Sequence, residues 1–168
     1  MKGLPLLLSA GVLLLDQSTK RLVERTMTPG ESVPVLGDVL RMTFVRNDGI
    51  AFGIHIGSGA LFNAFSVAAC VGVAYYFWKI RRESNWLRSG TALILGGAAG
   101  NLIDRLAAGS VVDFIDAGIR SVRWPVFNVA DSAVVVGAGI LFLLMARDER
   151  ALRRGRRDGA GVQPPPAP

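Results

Sequence analysis

The sequence is poor in the residues that build disulfide frameworks and transition-metal sites. Cys70 is its one cysteine, so no disulfide can form within the chain. His55 is its one histidine and has no acidic cluster beside it. Structural and catalytic zinc sites draw mostly on several histidines and cysteines. We therefore predict no metal site and no cofactor, and the remaining candidates for chemistry are carboxylates and amides.

Charge is also missing from long parts of the chain. Residues 49–78 carry none when His55 is neutral. A helix needs about 20 apolar residues to cross roughly 30 Å of hydrocarbon, and four runs fit: Leu4–Leu22, Gly59–Trp78, Ser89–Ala107 and Val126–Ala146. The first run resembles a cleavable signal peptide, but no small-residue cleavage site follows it, which favours a retained helix.

The charges that are present cluster on one side of this arrangement. The net charge of +6 could suggest nucleic-acid binding. However, the basic residues concentrate in the loop between the second and third runs and after the fourth: Lys79, Arg81, Arg82, Arg88, Arg147, Arg150, Arg153, Arg154, Arg156 and Arg157. If the chain spans the membrane four times, both places lie on the same side, and the positive-inside rule identifies that side as the cytoplasm. Lys20, Arg21 and Arg25 lie on the opposite side and weaken this charge difference. The prediction is a membrane protein with both termini inside, not a nucleic-acid binder.

Two polar segments lie on the opposite, outer side. Thr26–Ser58 alternates apolar and polar residues around Val33 to Phe44, with turn residues near Leu36–Asp38, and Val111–Phe127 holds further strand-like runs. The predicted fold class is an all-α membrane protein with four transmembrane helices and a small extracytoplasmic β-rich cap, whose main segment is 26–58. Residues 1–147 form one transmembrane domain. Residues 148–168 are predicted as a cytoplasmic tail that begins as a basic helix end and is Gly/Pro-rich and disordered from Gly159 onward.

Two carboxylates at the outer face are the leading candidates for chemistry. Asp131 is the only charge between Trp124 and Ala146, and a carboxylate at the centre of a membrane helix costs roughly 2.5–3.5 kcal/mol. Asp113 follows the third run, so both acids face outward. Two carboxylates in a low-dielectric site share a proton and can act as acid and base, with Asn128 on the same face. Alternatively, both are unrelated acids near helix starts, favoured by the helix dipole.

Three further polar groups lie in or beside the apolar runs. Asp16 and Lys20 have the spacing of an ion pair on a helix. This pair either is only a salt bridge at the helix end or also shapes a site. Asn101, Asp104 and Arg105 share one helical face, and Asp104–Arg105 is most simply a structural ion pair. Gly96, Gly97 and Gly100 precede them and allow close helix packing. Asn47 lies in a segment with turn chemistry.

Together these motifs resemble lipoprotein signal peptidase, the signal peptidase II family of bacterial membrane aspartic proteases. Five pieces carry the resemblance in order: Asp16-Gln17-Ser18-Thr19-Lys20, Asn47-Asp48-Gly49-Ile50-Ala51-Phe52-Gly53, Gly100-Asn101-Leu102-Ile103-Asp104-Arg105, Val112-Asp113-Phe114-Ile115-Asp116 and Phe127-Asn128-Val129-Ala130-Asp131-Ser132. Ile50 departs from the family pattern, which usually has alanine there. The tail after Arg147 lies outside the resemblance.

The resemblance implies cleavage of a prolipoprotein's signal peptide before its lipid-modified cysteine. By motif match, Asp113 and Asp131 would be the catalytic pair. The residues that would position substrate are Asn47, Asn101, Arg105 and Asn128. Asp16, Lys20 and Asp104 would support the site. The implied setting is the bacterial inner membrane, the implied partners are diacylglyceryl-modified prolipoproteins and membrane lipid, and a monomer is expected.

Two other functions fit isolated features of the sequence. A small proton-coupled transporter could relay protons through Asp104 and Asp131, but transport predicts polar groups spread through the membrane depth, whereas these gather at one face. A non-catalytic assembly subunit would leave Asp113 and Asp131 without a paired purpose.

Overall fold

A computed structural model describes residues 3–49 and 59–159, so Ile50 and His55 lie outside the described residues. The described residues form four helices and four strands: α1 Leu4–Thr26, β1 Ser32–Leu36, β2 Leu40–Asn47, α2 Gly59–Lys79, α3 Asn85–Ala108, β3 Val111–Ile119, β4 Val122–Arg123 and α4 Val129–Gly159. The fold is thus mostly helical with a small antiparallel sheet.

Each predicted apolar run corresponds to a helix, with shifted ends. α4 begins at Val129, three residues later than predicted, and continues well past Ala146 to Gly159. The first part of the predicted tail is therefore helical, and residues 160–168 lie outside the described part. Within that part, Val129–Arg150 is long and apolar enough to cross a membrane.

The ends of α3 follow from local capping. The Ser84 side chain accepts a hydrogen bond from the Leu87 backbone N–H, the arrangement of an N-cap serine. At the other end Gly109 adopts a left-handed backbone (φ 72°), and its N–H bonds to the Arg105 carbonyl. This stop turns the chain directly into β3, so Asp113 follows the end of α3 closely.

Glycines allow α3 to pack closely against α1 and α4. A Cβ on Gly96 would lie 2.6 Å from the Ser9 carbonyl oxygen on α1, and one on Gly97 would meet the Ala130 carbonyl oxygen on α4. A Cβ on Gly137 of α4 would lie 2.5 Å from the Gly90 carbonyl oxygen on α3. The prediction that small residues permit close helix approach is confirmed at Gly96 and Gly97.

Adding one methyl group at Gly97 should therefore destabilise the protein. In Gly97→Ala the new Cβ would collide with the Ala130 carbonyl and the Val134 side chain, an overpacking that costs about 1–3 kcal/mol. Gly139→Ala is the matched control, because nothing lies within 4 Å of its Cβ. Thermal unfolding of both variants in the same detergent checks this. Equal unfolding temperatures would contradict the close approach of α3 and α4.

The four strands form one antiparallel sheet in the order β1-β2-β3-β4. The turn predicted near Leu36–Asp38 joins β1 to β2, and β3 supplies the centre of the sheet from the second predicted segment. Phe44, Val112 and Phe114 pack with Val23 of α1 in a buried cluster. Burying these side chains fixes β3 against the helices and so fixes the position of Asp113.

Candidate active site

The site is organised around the first turn of α4. The Asn128 side-chain oxygen accepts from the Asp131 backbone N–H (2.9 Å), while an Asp131 carboxylate oxygen accepts from the Asn128 backbone N–H (3.2 Å). This reciprocal pair is a capping box with asparagine as the cap. The Ala130 N–H is bound by Asp16 of α1 (2.9 Å). The first N–H groups of a helix have no partner within the helix, and pairing them here holds Asp131 in a defined orientation.

Asp113 projects from β3 toward the same helix end and is buried, with 3% of its surface exposed. Its Oδ1 accepts from the Asn128 side-chain amide (2.7 Å) and its Oδ2 from the Asn47 amide (2.9 Å). The Asn47 oxygen accepts from the Gly49 N–H (3.1 Å), which forms the turn predicted there. Asn47 therefore both shapes its turn and binds a candidate catalytic acid.

Asparagine side chains connect the two acids. Asp131 Oδ1 accepts from the Asn101 amide (2.8 Å), and the Asn101 oxygen accepts from the Asn128 amide (3.1 Å). Asn128 thereby contacts both Asp113 and Asp131, one through its side-chain amide and the other through its backbone N–H and side-chain oxygen. The structure thus brings both predicted acids to one place, on two elements far apart in sequence.

The environment raises the pKa of Asp113 from 3.8 to about 6. Burial is the main cause and the negative charge of Asp131 adds to it, while the hydrogen bonds from Asn47 and Asn128 oppose it. Asp116, three residues along β3, behaves in the opposite way: burial raises its pKa, but hydrogen bonds from Arg123 and Thr43 outweigh that and lower it. Of these two carboxyl groups, Asp113 is thus the one that holds its proton up to a pH of about 6.

Both acids open onto a cavity of about 780 Å³. Its polar lining includes Asn47, Arg105, Asp113 and Asp131, and Arg105 interacts electrostatically with both acids. One wall is formed by the connection Trp124–Phe127. A largely apolar cavity with a few convergent polar groups is the usual form of a substrate site.

A second buried cluster lies behind the acids, between α1 and α3. The Lys20 ammonium lies close to three oxygen atoms: Asp16 Oδ2 (2.8 Å), Asp104 Oδ2 (2.7 Å) and Asn101 Oδ1 (2.8 Å). Asp104 and Arg105, predicted from sequence to pair, interact electrostatically, and Asp104 has a further ion-pair partner in Lys20 on another helix. Gln17 also binds Asp104 (2.8 Å).

Gln17 and the Trp124–Phe127 wall were not predicted from the sequence to take part in the site. Gln17 is an uncharged polar residue within an apolar helix, a signal that could have drawn attention to it, whereas nothing in the local pattern marks Trp124–Phe127 as a cavity wall. Within residues 3–49 and 59–159, no group of three or more His, Cys, Asp or Glu side chains is placed to hold a metal ion.

Comparisons with known proteins show a family to which the chain is similar. The family model described as signal peptidase (SPase) II matches residues 8–147. The lipoprotein signal peptidase of Halalkalibacterium halodurans is 49% identical over 143 residues, 85% of this chain and 92% of the relative. That of Halothermothrix orenii is 45% identical over 139 residues, 83% of this chain and 92% of the relative. A bacterial membrane enzyme solved by the in meso method at 2.3 Å resolution matches with a TM-score of 0.80 and 33% identity, covering 88% of this chain and 90% of its own.

Proposed function

The chain belongs to the signal peptidase II family, and we propose that Asp113 and Asp131 are the catalytic pair of an aspartic endopeptidase. The reaction is removal of the signal peptide from prolipoproteins. The observation that carries the catalytic assignment is Asn128, whose hydrogen bonds hold both carboxyl groups at one cavity. The comparisons give no support to the transporter alternative.

The two acids divide the chemistry of peptide hydrolysis. Ionised Asp131 takes a proton from a water molecule, and that water attacks the scissile carbonyl carbon. Protonated Asp113 gives its proton to the carbonyl oxygen, which forms a neutral tetrahedral intermediate. Collapse of the intermediate then breaks the C–N bond: Asp131 gives its proton to the leaving nitrogen, and a hydroxyl group of the intermediate returns a proton to Asp113 as the carbonyl re-forms. The raised pKa of Asp113 supports its assignment as the acid.

The four amide and guanidinium groups have two kinds of role in this proposal. Asn47 and Arg105 line the cavity and can contact the peptide backbone, whose carbonyl groups accept hydrogen bonds. Asn101 and Asn128 lie behind the acids and direct their amide N–H groups at Asp131 and Asp113. We therefore assign Asn101 and Asn128 to orienting the acids rather than to binding substrate directly.

The cleavage rate should fall as the pH rises through about 6, because Asp113 must carry a proton to act as the acid and its pKa is about 6. A profile of kcat/KM between pH 4.5 and 8 reports this ionisation in the free enzyme. A profile without a falling limb near pH 6 would contradict the assignment of Asp113 as the acid.

Asn47→Ala sharpens this test, because the Asn47 amide lowers the pKa of Asp113. Its removal should move the falling limb to higher pH. The rate itself should drop by about tenfold at most, since one neutral hydrogen bond contributes about 0.5–1.5 kcal/mol. A lowered unfolding temperature with an unchanged pH profile would instead leave Asn47 as a residue of the turn alone.

The helix surfaces support a bundle that spans the membrane four times. Large apolar side chains point outward on three helices: Leu6, Leu7, Leu14, Leu15, Leu22, Phe65, Val71, Val135, Phe142, Leu143 and Met145 are each more than half exposed. In water such contiguous surfaces promote association, whereas lipid tails cover them without cost. The protein is a membrane enzyme, and we propose that residues 1–147 form the transmembrane peptidase domain.

The proposed setting is the bacterial inner membrane, with the cavity near the outer face and both termini in the cytoplasm. Tyr75, Tyr76, Trp78 and Trp86 are exposed where α2 ends and α3 begins, and exposed aromatic residues are typical of a membrane–water interface. The lipid chains of the modified cysteine would lie in the bilayer beside the bundle. Both acids and their hydrogen-bond partners come from one chain, so a monomer is sufficient for the site.

Cysteine labelling tests this topology. In a Cys70→Ser background, Pro29→Cys lies in the exposed connection between α1 and β1, and Glu83→Cys lies in the exposed connection between α2 and α3. An impermeant maleimide added to intact cells should label the first and spare the second. Lysed cells provide the control, because both should then react. The reverse pattern in intact cells would place the cavity on the cytoplasmic side.

A further inference from the structure

Two turns of the sheet form a shared apolar tip at the end farthest from the helices. The β1–β2 turn and the β3–β4 turn are adjacent, since the Gly118 N–H binds the Val39 carbonyl (2.9 Å). β3 runs nine residues from Val111, next to α3, to Ile119 at this tip. At about 3.3 Å per residue, the tip lies roughly 25–30 Å from the base of the strand.

The side chains at this tip are aliphatic and exposed. Val122 is 78% exposed, Ile119 69% and Leu36 67%, and Val35 and Val39 are also more than half exposed. Single exposed apolar residues are ordinary on protein surfaces, but here five large aliphatic side chains are gathered on two touching turns, and such concentrations of exposed apolar surface mark interaction sites. We call these five residues the sheet tip.

A cation stands at the apex of the sheet tip. Arg120 occupies the β3–β4 turn with a left-handed backbone (φ 53°), which is uncommon for a residue other than glycine. Nearby Arg41 and Arg123 both pair with Asp38. None of the ion pairs found within residues 3–49 and 59–159 involves Arg120. Aliphatic side chains around an arginine without a carboxylate partner match the membrane interface, where apolar groups meet anionic phosphates.

We propose that the sheet tip inserts into the outer leaflet and holds the sheet along the membrane surface. The helices already hold the molecule in a bilayer, so lipid is present near the sheet tip at a high effective concentration. Because of this, the inserted state is occupied even if insertion of the tip alone is weak. If the sheet instead stood away from the membrane, all five aliphatic side chains would face water. The inference rests on the membrane location and on the orientation proposed above, and not on the catalytic assignment of Asp113 and Asp131.

The sheet tip can be probed without measuring activity. In a Cys70→Ser background, Val122→Cys or Ile119→Cys is labelled with the fluorophore NBD, and the full chain is placed in nanodiscs of phosphatidylcholine and phosphatidylglycerol. Insertion predicts that doxyl-labelled lipids quench the fluorophore and that iodide quenches it several-fold less than in water. Phe142→Cys, on the outward face of α4, is the lipid control, and Arg153→Cys, beyond the span, is the water control.

The outcomes separate lipid from a protein partner. Quenching at both tip positions that resembles the Phe142 control supports insertion. In anionic nanodiscs, quenching by the doxyl-labelled lipids should weaken when Arg120→Glu is added but not when Arg120→Lys is added. Quenching that resembles the Arg153 control overturns the proposal. It is equally overturned if the tip becomes shielded from iodide only after a prolipoprotein is added, which would assign this surface to the substrate.

Discussion

Asp113→Asn and Asp131→Asn should each lower the rate of prolipoprotein cleavage by about 10²- to 10⁴-fold, the usual contribution of a positioned acid or base. Asparagine preserves the size of each side chain but can neither take the proton from water nor supply one to the carbonyl oxygen. Measuring cleavage of a lipid-modified precursor by purified variants, at equal protein concentration, gives the loss directly.

Asp38→Asn is the matched control for these two variants. Asp38 also lies in the sheet region, but it is exposed and its ion pairs with Arg41 and Arg123 are long (3.3 and 3.6 Å), so each contributes little. Its cleavage rate should stay close to that of the unaltered protein. Substantial cleavage by either Asp113→Asn or Asp131→Asn, with the control intact, would remove that residue from the catalytic pair.

The folded state of each variant must be measured beside its activity, because both acids accept two or more hydrogen bonds. In Asp131→Asn only one side-chain oxygen remains to receive the Asn101 amide and the Asn128 N–H. The resulting loss of stability should be far smaller than the loss of rate, since a net hydrogen bond contributes about 0.5–1.5 kcal/mol. A variant that unfolds at an unchanged temperature and does not cleave isolates the chemical role.

Sequence patterns were sufficient for the elements of the fold and for the identity of the candidate acids. Long uncharged runs predicted the four helices, and alternation around Val33 to Phe44 predicted β1 and β2, because these periods follow directly from helix and strand geometry. The start of α4 was misplaced by three residues. Apolar character extends back to Val126, whereas the helix begins where Asn128 caps it.

Contacts between distant segments could not be read from local patterns. The spacing of Asp16 and Lys20 predicts their ion pair, which the structure contains, but not that Asp16 caps the first turn of α4, 114 residues away. Likewise the sequence predicts that Asp104 interacts with Arg105, but only the packing of α1 on α3 shows that Lys20 is a further partner of Asp104. These choices depend on which helices touch, and glycines such as Gly96 and Gly100 decide that.

Lys20→Met should destabilise the protein by about 3–5 kcal/mol, the cost of breaking a buried ion pair and leaving charge uncompensated. Lys20 is 2% exposed and lies between the carboxylates of Asp16 and Asp104. Its removal would also leave the Asn101 oxygen with the Asn128 amide but without the ammonium, and so loosen the amide that binds Asp131. The free energy of unfolding in mixed micelles should show the loss, with Lys79→Met, an exposed lysine at the end of α2, as the control.

A second substitution distinguishes lost charge balance from lost packing. Adding Asp104→Asn to Lys20→Met removes one of the two stranded carboxylates, so part of the stability should return. Asp16 must be kept, because it caps the Ala130 N–H at the start of α4. If the double variant is as unstable as Lys20→Met alone, the lysine acts through its packed methylene chain. Recovered stability without recovered cleavage would show that Lys20 also supports the site, since Asn101 would still lack the cation that holds its amide against Asp131.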